Sequence, residues 1–356
     1  MRFYSLILSD AATGASIVPS QEGFTRGTGA TFSSLYREPF SGRLLPDPGA
    51  LDIEFDVPVT QLAKPQGAFR VTVRGVGLLM IGQASNLAGL RFQLKAGMSP
   101  GLPLANPAQA GVIAEGTILQ SWGNWAGVDQ TLTMLINPGP PGTTDSVFDR
   151  KLAFFWPAGS SLHDAIDAAL QAALPEFKRQ IFIDPRLTLP NDEAGWYASP
   201  SQWASYLLGV TQPLGAQFLG FSYPGVQIVA SGDTIYVFDG VSGGPGTITT
   251  QLEFQDLVGQ PTWVSGTEVT VDTVLRADIG MGNKVRFPAG IVTPYAITSP
   301  KAGSVPGNLV PSRSKSAFQG EFLVKEIHHF GSYRQPDADA WKTVFVMAAP
   351  PVGSTS

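Results

Sequence analysis

Apolar and polar residues alternate over Phe69, Val71 and Val73, again over Leu90, Phe92 and Leu94, and again over Leu132, Met134 and Ile136. A period of two puts every second side chain on one face, so each run predicts a half-buried strand. Between them lie a turn at Arg74-Gly75, the segment QASNLAG, an AGM turn, the loop GLPLANPAQAG and a WGNWAG turn. No catalytic signature interrupts this stretch.

The pattern changes twice along the chain, which predicts three regions. Residues 1–147 are β-rich and end in NPGPPGTTDS, where prolines and turn formers stop any ladder. Within them, Gly14 to Pro48 is rich in Gly, Ser and Arg but holds Phe24, Phe32, Tyr36 and Phe40, and reads either as a loosely ordered arm pinned by a neighbouring subunit or, slightly better, as a pair of poorly patterned strands of the same domain. Residues 148–245 carry the only helices the pattern predicts. After a strand over Leu152–Trp156, Ser161 stands three residues before Asp164 in a capping-box-like start, and Leu162, Ala165, Ile166, Ala169, Leu170 and Ala173 share one helix face until Pro175. Ser199-Pro200-Ser201-Gln202 starts a second helix, whose buried stripe is Trp203, Tyr206, Leu207 and Val210. Short strands are expected at Gln180–Asp184, Gln227–Ala230 and Thr234–Phe238, the last two forming a hairpin around Ser231-Gly232-Asp233. Residues 246–356 return to strands: Gln251–Phe254, Glu268–Leu275, Lys284–Phe287, and a closing hairpin of Glu321–His328 with Trp341–Ala348.

The order of these parts over 69–137, and the later RADIGMGNKVRFP followed by FQGEFLVKEIHHFGSYRQPDADAWKTVFVMA, resemble baseplate hub proteins of contractile-tailed bacteriophages. Late-control proteins and the hub part of type VI secretion spikes share the general scheme. The resemblance implies a mainly β chain with an α+β insert: two tube-like β-barrel domains, 1–147 and 246–356, flanking a small α+β domain, 148–245. It also implies a homotrimer whose six barrels match a hexameric tail tube. The partners implied are the tail tube protein, the trimeric central spike protein, the tape-measure protein and other baseplate proteins, in the virion baseplate and assembled in the host cytoplasm. DNA would pass through the channel without specific binding. No repeat linking 1–147 to 246–356 is visible in the residues themselves, so the two-barrel scheme comes from the resemblance alone.

Composition fits a chain covered by neighbours. Only 14% of the 356 residues are charged while 43% are hydrophobic, against roughly 25% charged in ordinary domains. Interface centres lose charge and gain aromatics, so this deficit is expected of buried surface, although an uncharged Gly/Pro-rich β protein would show it too. The net charge of −5 divides as −1 over 1–147, −4 over 148–245 and 0 over 246–356. Clustered Lys and Arg of a nucleic-acid-binding module are missing. Cysteine is absent, which excludes disulfides and thiolate metal sites. No window approaches the ~20 apolar residues of a membrane span, and MRFYSLILSD lacks the features of a cleaved leader, so a soluble, unprocessed chain is expected.

Candidate chemistry is sparse. His328 and His329 are adjacent in a predicted strand and point to opposite faces, so they cannot share a metal. His328 lies near Glu326, Asp337 and Asp339, a set that reads as structural polar residues at a hairpin end. His163 reads as a solvated residue in a first helical turn. Asp192 and Glu193 beside Trp196 and Tyr197 offer the one carbohydrate-like pattern, acid plus aromatic, and would serve the alternative of a baseplate-associated cell-wall hydrolase or carbohydrate-binding module. Adjacent residues rarely place two carboxyls across one bond, so they read better as a solvated loop. GMGN at 280–283 lacks the following helix of a dinucleotide loop. Trp122 and Trp125 read as packing or contact residues at a hairpin. Lys284, Arg286, Lys301, Arg313 and Lys315 form a basic Gly/Pro/Ser-rich stretch with no acid, expected to dock on an acidic neighbour or to lie near the spike or tube junction. No catalytic, cofactor-binding or metal-binding residue is assigned, and no cofactor is implied.

Overall fold

The computed structural model describes residues 2–63, 68–98, 106–139, 150–219, 223–242, 249–265, 268–288 and 318–349. The chain is mainly β. Its first part supplies β1 (Arg2–Ser9), β2 (Ser16–Ser20), β3 (Gly23–Gly27), β4 (Phe32–Ser33), β5 (Leu35–Arg37), β6 (Leu44–Pro46), β7 (Asp52–Val59), β8 (Phe69–Arg74), helix α1 (Leu78–Gly82), β9 (Arg91–Met98), β10 (Gly111–Ala126) and β11 (Asp129–Pro138). Strands β7, β8, β11, β10, β9 and β1 follow one another in a sheet. Alternate residues of each turn inward: Leu6 and Leu8, Ile53 and Phe55, Val71 and Val73, Phe92 and Leu94, Leu132 and Met134 are all buried in one core. The sheet curls around that core, because the rings of Phe69 on β8 and Phe92 on β9 lie 5.9 Å apart although two strands separate them in the ladder. At about 1.5–3 kcal/mol per buried large side chain, this shared interior is what the period-two pattern stabilises.

The segment from Gly14 to Pro48 does form strands of this lobe. The hairpin of β2 and β3 extends the sheet from β1, β4 pairs with β1, and β5 pairs with β6 in a separate arm.

The middle part supplies β12 (Leu152–Trp156), α2 (Leu162–Ala173), β13 (Lys178–Phe182), β14 (Glu193–Tyr197), α3 (Pro200–Leu219), β15 (Gln227–Ser231) and β16 (Thr234–Phe238). Both helix starts follow their side-chain caps. The Asp164 N–H donates to Ser161 Oγ at 3.2 Å, the Gln202 N–H donates to Ser199 Oγ at 3.2 Å, and Gln202 Oε1 accepts from the Ala198 N–H at 3.0 Å. The sheet β13-β16-β15 is covered on both faces: Ile228, Ile235 and Val237 join the core beneath the helices, while Val229 and Phe238 join the core of the third part. Burial on both faces explains why β15 and β16 read as continuous apolar runs.

The last part supplies β17 (Thr250–Gln251), β18 (Thr262–Trp263), β19 (Glu268–Val274), β20 (Lys284–Arg286), β21 (Phe322–Ser332) and β22 (Trp341–Ala348). Strand β21 pairs with β22 on one side and with β7 on the other, His329 opposite Val57 and Gly331 opposite Phe55. One continuous ladder, β18-β19-β22-β21-β7-β8-β11-β10-β9-β1, therefore joins the first and last parts of the chain.

Below the shared ladder, a buried polar cluster ties the same two parts together. Arg276, 3% exposed, donates twice to Asp278 at 2.8 and 2.7 Å, and its Nη1 lies 3.3 Å from Asp256 Oδ2. Gln109, from the first part, donates to Asp256 at 2.8 Å, and its carbonyl accepts from the Ala277 N–H at 2.7 Å.

Five local expectations are corrected. The AGM segment is not a turn but the end of β9, with Gly97 opposite Phe3 of β1. The strand expected over Gln251–Phe254 shrinks to Thr250–Gln251, because Glu253 and Asp256 cap each other around a 3-10 turn at Phe254–Asp256. Helix α1 lies in the first part, where no helix was expected; LLMIG has neither a capping side chain nor a buried stripe and is held by docking Ile81 over Gly123. The WGNWAG segment is not itself a turn: β10 runs through Ala126 and the chain reverses at Gly127, whose φ is 62°. Strand β13 begins two residues early, at Lys178, where it pairs in parallel with β16. The boundary segment NPGPPGTTDS falls mostly outside the described residues, as do residues 101–105 of the expected GLPLANPAQAG loop.

Candidate interaction surfaces

Among the described residues, strands β12 and β14 pair only with each other, Ala153 opposite Trp196 and Phe155 opposite Ala194. Their inward residues Leu152, Phe154 and Trp156 enter the middle core. The outward set, Ala153, Phe155, Ala194 and Trp196, is apolar and exposed throughout, with Trp196 85% exposed. The geometry thus splits the expected acid-plus-aromatic group. Trp196 points out, while Glu193 and Tyr197 share the opposite side of the strand, where the Tyr197 ring centroid lies 5.3 Å from that of Tyr206. Burial first, then the neighbouring Glu193, pushes the Tyr206 hydroxyl well above its usual range. Asp192 accepts the Ala158 N–H at 2.8 Å and holds a turn. Asp192, Glu193, Trp196 and Tyr197 are not gathered around one cleft, and Glu193 sits on a strand rather than in a loop.

A second exposed surface lies at one end of the first lobe. Ile81 of α1 rests on Gly123 of β10, and the Gly75 N–H donates to Gln130 O at 2.7 Å, which holds the approach to α1 against the tip of the β10–β11 hairpin. Leu78 and Leu79 on α1, with Trp125 and Val128 at the tip, are exposed, Val128 by 97%. Trp122 is also exposed, on the opposite face of β10. Neither tryptophan belongs to the core. A third apolar feature is the β5–β6 arm, whose tip residue Phe40 is fully exposed.

The histidines are dispersed. His163 Nδ1 lies 3.2 Å from Asp164 on the surface. His328 stacks on Phe330, ring centroids 5.9 Å apart. His329 faces inward, fully buried, with Nδ1 2.9 Å from Thr343 Oγ1. Burial, then the neighbouring His328, lowers its pKa to about 3, so it is neutral near pH 7. Asp339 pairs with Lys342 at 3.1 Å, and that lysine also pairs with Asp272 at 2.7 Å. Among the described residues no group of three His, Asp or Glu is placed to hold a metal. GMGN leads into β20, with the Asn283 N–H donating to Gly280 O. Of the basic stretch, Lys284 and Arg286 engage Glu321 at 3.6 and 2.8 Å; Lys301, Arg313 and Lys315 lie outside the described residues. Also among the described residues, no helix is long and apolar enough to cross a membrane.

No family model matches the chain, and no curated protein is similar to it in sequence. Among solved structures it is similar to the tail protein from Neisseria meningitidis MC58, at 9% identity and TM-score 0.44, over 97% of this chain and 96% of that one. It is similar to the prophage MuSo2 43 kDa tail protein from Shewanella oneidensis at 9% identity and TM-score 0.45, over 87% and 95%. The third is the Francisella PdpA-VgrG complex, at 7% identity and TM-score 0.41, over 100% of this chain and 60% of that one.

Proposed function

We propose that this chain is a structural component of a phage tail, the baseplate hub: a homotrimer that adapts the hexameric tail tube to the trimeric central spike, with the tape-measure protein ending within it. The observation that carries this reading is the pairing of β7 with β21, which welds two β lobes of a single chain into one sheet. Three copies of such a two-lobed unit supply six lobes, the number a hexameric tube requires. The motifs of the sequence resemblance support it, since they fall on β8 to β11 and on β20 to β22 of that same sheet. Exposed, uncharged apolar surfaces on the first lobe and on β12–β14 support a chain whose work is contact with neighbours. DNA passes through such a channel without a specific site, in keeping with the net charge of −5.

The reading is tested by electron microscopy of virions decorated with gold-labelled antibody against this chain. Label at the tube-distal end of the tail, at the baseplate, is the expected result; label on the head, along the sheath or nowhere on the virion overturns it.

A further inference from the structure

Two segments of the first lobe, residues 75–90 and 116–128, contain no charged residue. The fold brings them together where α1 docks on β10. Uncharged sequence is unremarkable in a core, but here it carries Leu78, Leu79, Trp125 and Val128, all exposed. These four side chains present on the order of 500 Å² of apolar surface, near the top of the range for the largest patch on an ordinary monomer and more than half of what one partner gives a standard interface.

We propose that this end of the first lobe is the surface by which one copy of the chain packs on the next. The inference rests on the reading that copies assemble, and adds which surface joins them. A second copy fits better than a transient partner for two reasons. Permanent contacts between identical chains are the more apolar class, while exchangeable partners keep charge for steering and discrimination. The four side chains supply more than half of one side of a stable interface, and Gln130, paired with Trp125 on the same face of the hairpin, borders them. In a ring of three the contact is heterologous, so the patch meets a different surface on its neighbour.

The test uses the full chain. Leu79→Ser, Trp125→Ser and Val128→Ser are combined in one variant, and Gln171→Ser with Ala172→Ser, on the exposed side of α2, serve as the control. Because all of these side chains are exposed, equal melting temperatures check that folding is kept. Sedimentation over a concentration series is expected to show self-association weakened roughly 100-fold or more in the triple variant and unchanged in the control. A photoreactive benzoylphenylalanine at Leu79 supplies a readout that does not depend on the variant folding; it is expected to give a covalent product of twice the chain mass. Wild-type association retained in the triple variant, or no such product from an assembled sample, overturns the inference while leaving assembly intact. A wild-type chain that stays single at every concentration overturns assembly and inference together.

Discussion

Replacing Arg276 by methionine removes the cation at the centre of the cluster that ties Gln109 to the Phe254–Asp256 turn. Asp278 is 27% exposed and can be rehydrated, so its loss of two hydrogen bonds costs little. Asp256 is different: 7% exposed, it keeps its bonds from Gln109 and the Glu253 N–H but loses the positive charge 3.3 Å away. Removing one partner of a buried pair costs about 3–5 kcal/mol, most of it the penalty of the carboxylate left behind. Urea unfolding followed by tryptophan fluorescence measures this as a midpoint shift, with Trp341 reporting from the first core; coincident circular dichroism establishes that one transition is being read. Asp256→Asn in the same chain keeps a hydrogen-bonding group without the charge, so the double variant is expected to recover about 2 kcal/mol relative to the sum of the singles. A loss under about 1 kcal/mol in Arg276→Met, or strict additivity in the double variant, refutes the assignment of this cluster as the tie between the two parts.

Three other perturbations follow from the same structure. His329 is neutral and buried with its pKa lowered to about 3, below its ordinary value of 6.5, so its stabilising contribution is complete above pH 6.5 and is lost as pH falls towards 3; about 2 kcal/mol disappears by pH 5, and His329→Asn is expected to flatten that part of the urea-midpoint profile. In Gly123→Ala the new Cβ would stand 2.3 Å from Ile81 Cγ2 and 2.9 Å from Ile81 O, so α1 must shift at a cost of about 1–3 kcal/mol, visible as faster amide exchange at Ile81. Ser161→Ala removes the cap of α2 and is expected to cost about 1 kcal/mol in thermal or urea unfolding.

The strands with one buried and one open face were legible because period two is all they require; β8, β9, β11, β19 and β22 lie where alternation placed them. The two main helices were legible from Ser161 and Ser199, whose hydroxyls act locally. The β7–β21 pairing was not legible, since Val57 and His329 are brought together by the packing of whole lobes and nothing near either residue signals the other. The outward apolar face of β12–β14 was hidden for a related reason: LAFFW is apolar at both parities, and only the register with Ala194 and Trp196 shows that one parity is left uncovered. Strand alternation over Glu193 to Tyr197 was the available signal that the acid and the exposed tryptophan point opposite ways. Arg276 stood inside a resembling motif beside its local partner Asp278, and nothing there marked Asp256 or the Gln109 that bonds it.

Sedimentation of the purified chain tests the central claim, that its uncharged exposed surfaces are covered by copies of itself. The expected result is a discrete species at three times the 37.7 kDa chain mass, favoured by rising concentration. A sharp boundary at a single chain mass up to the highest concentration attainable contradicts it.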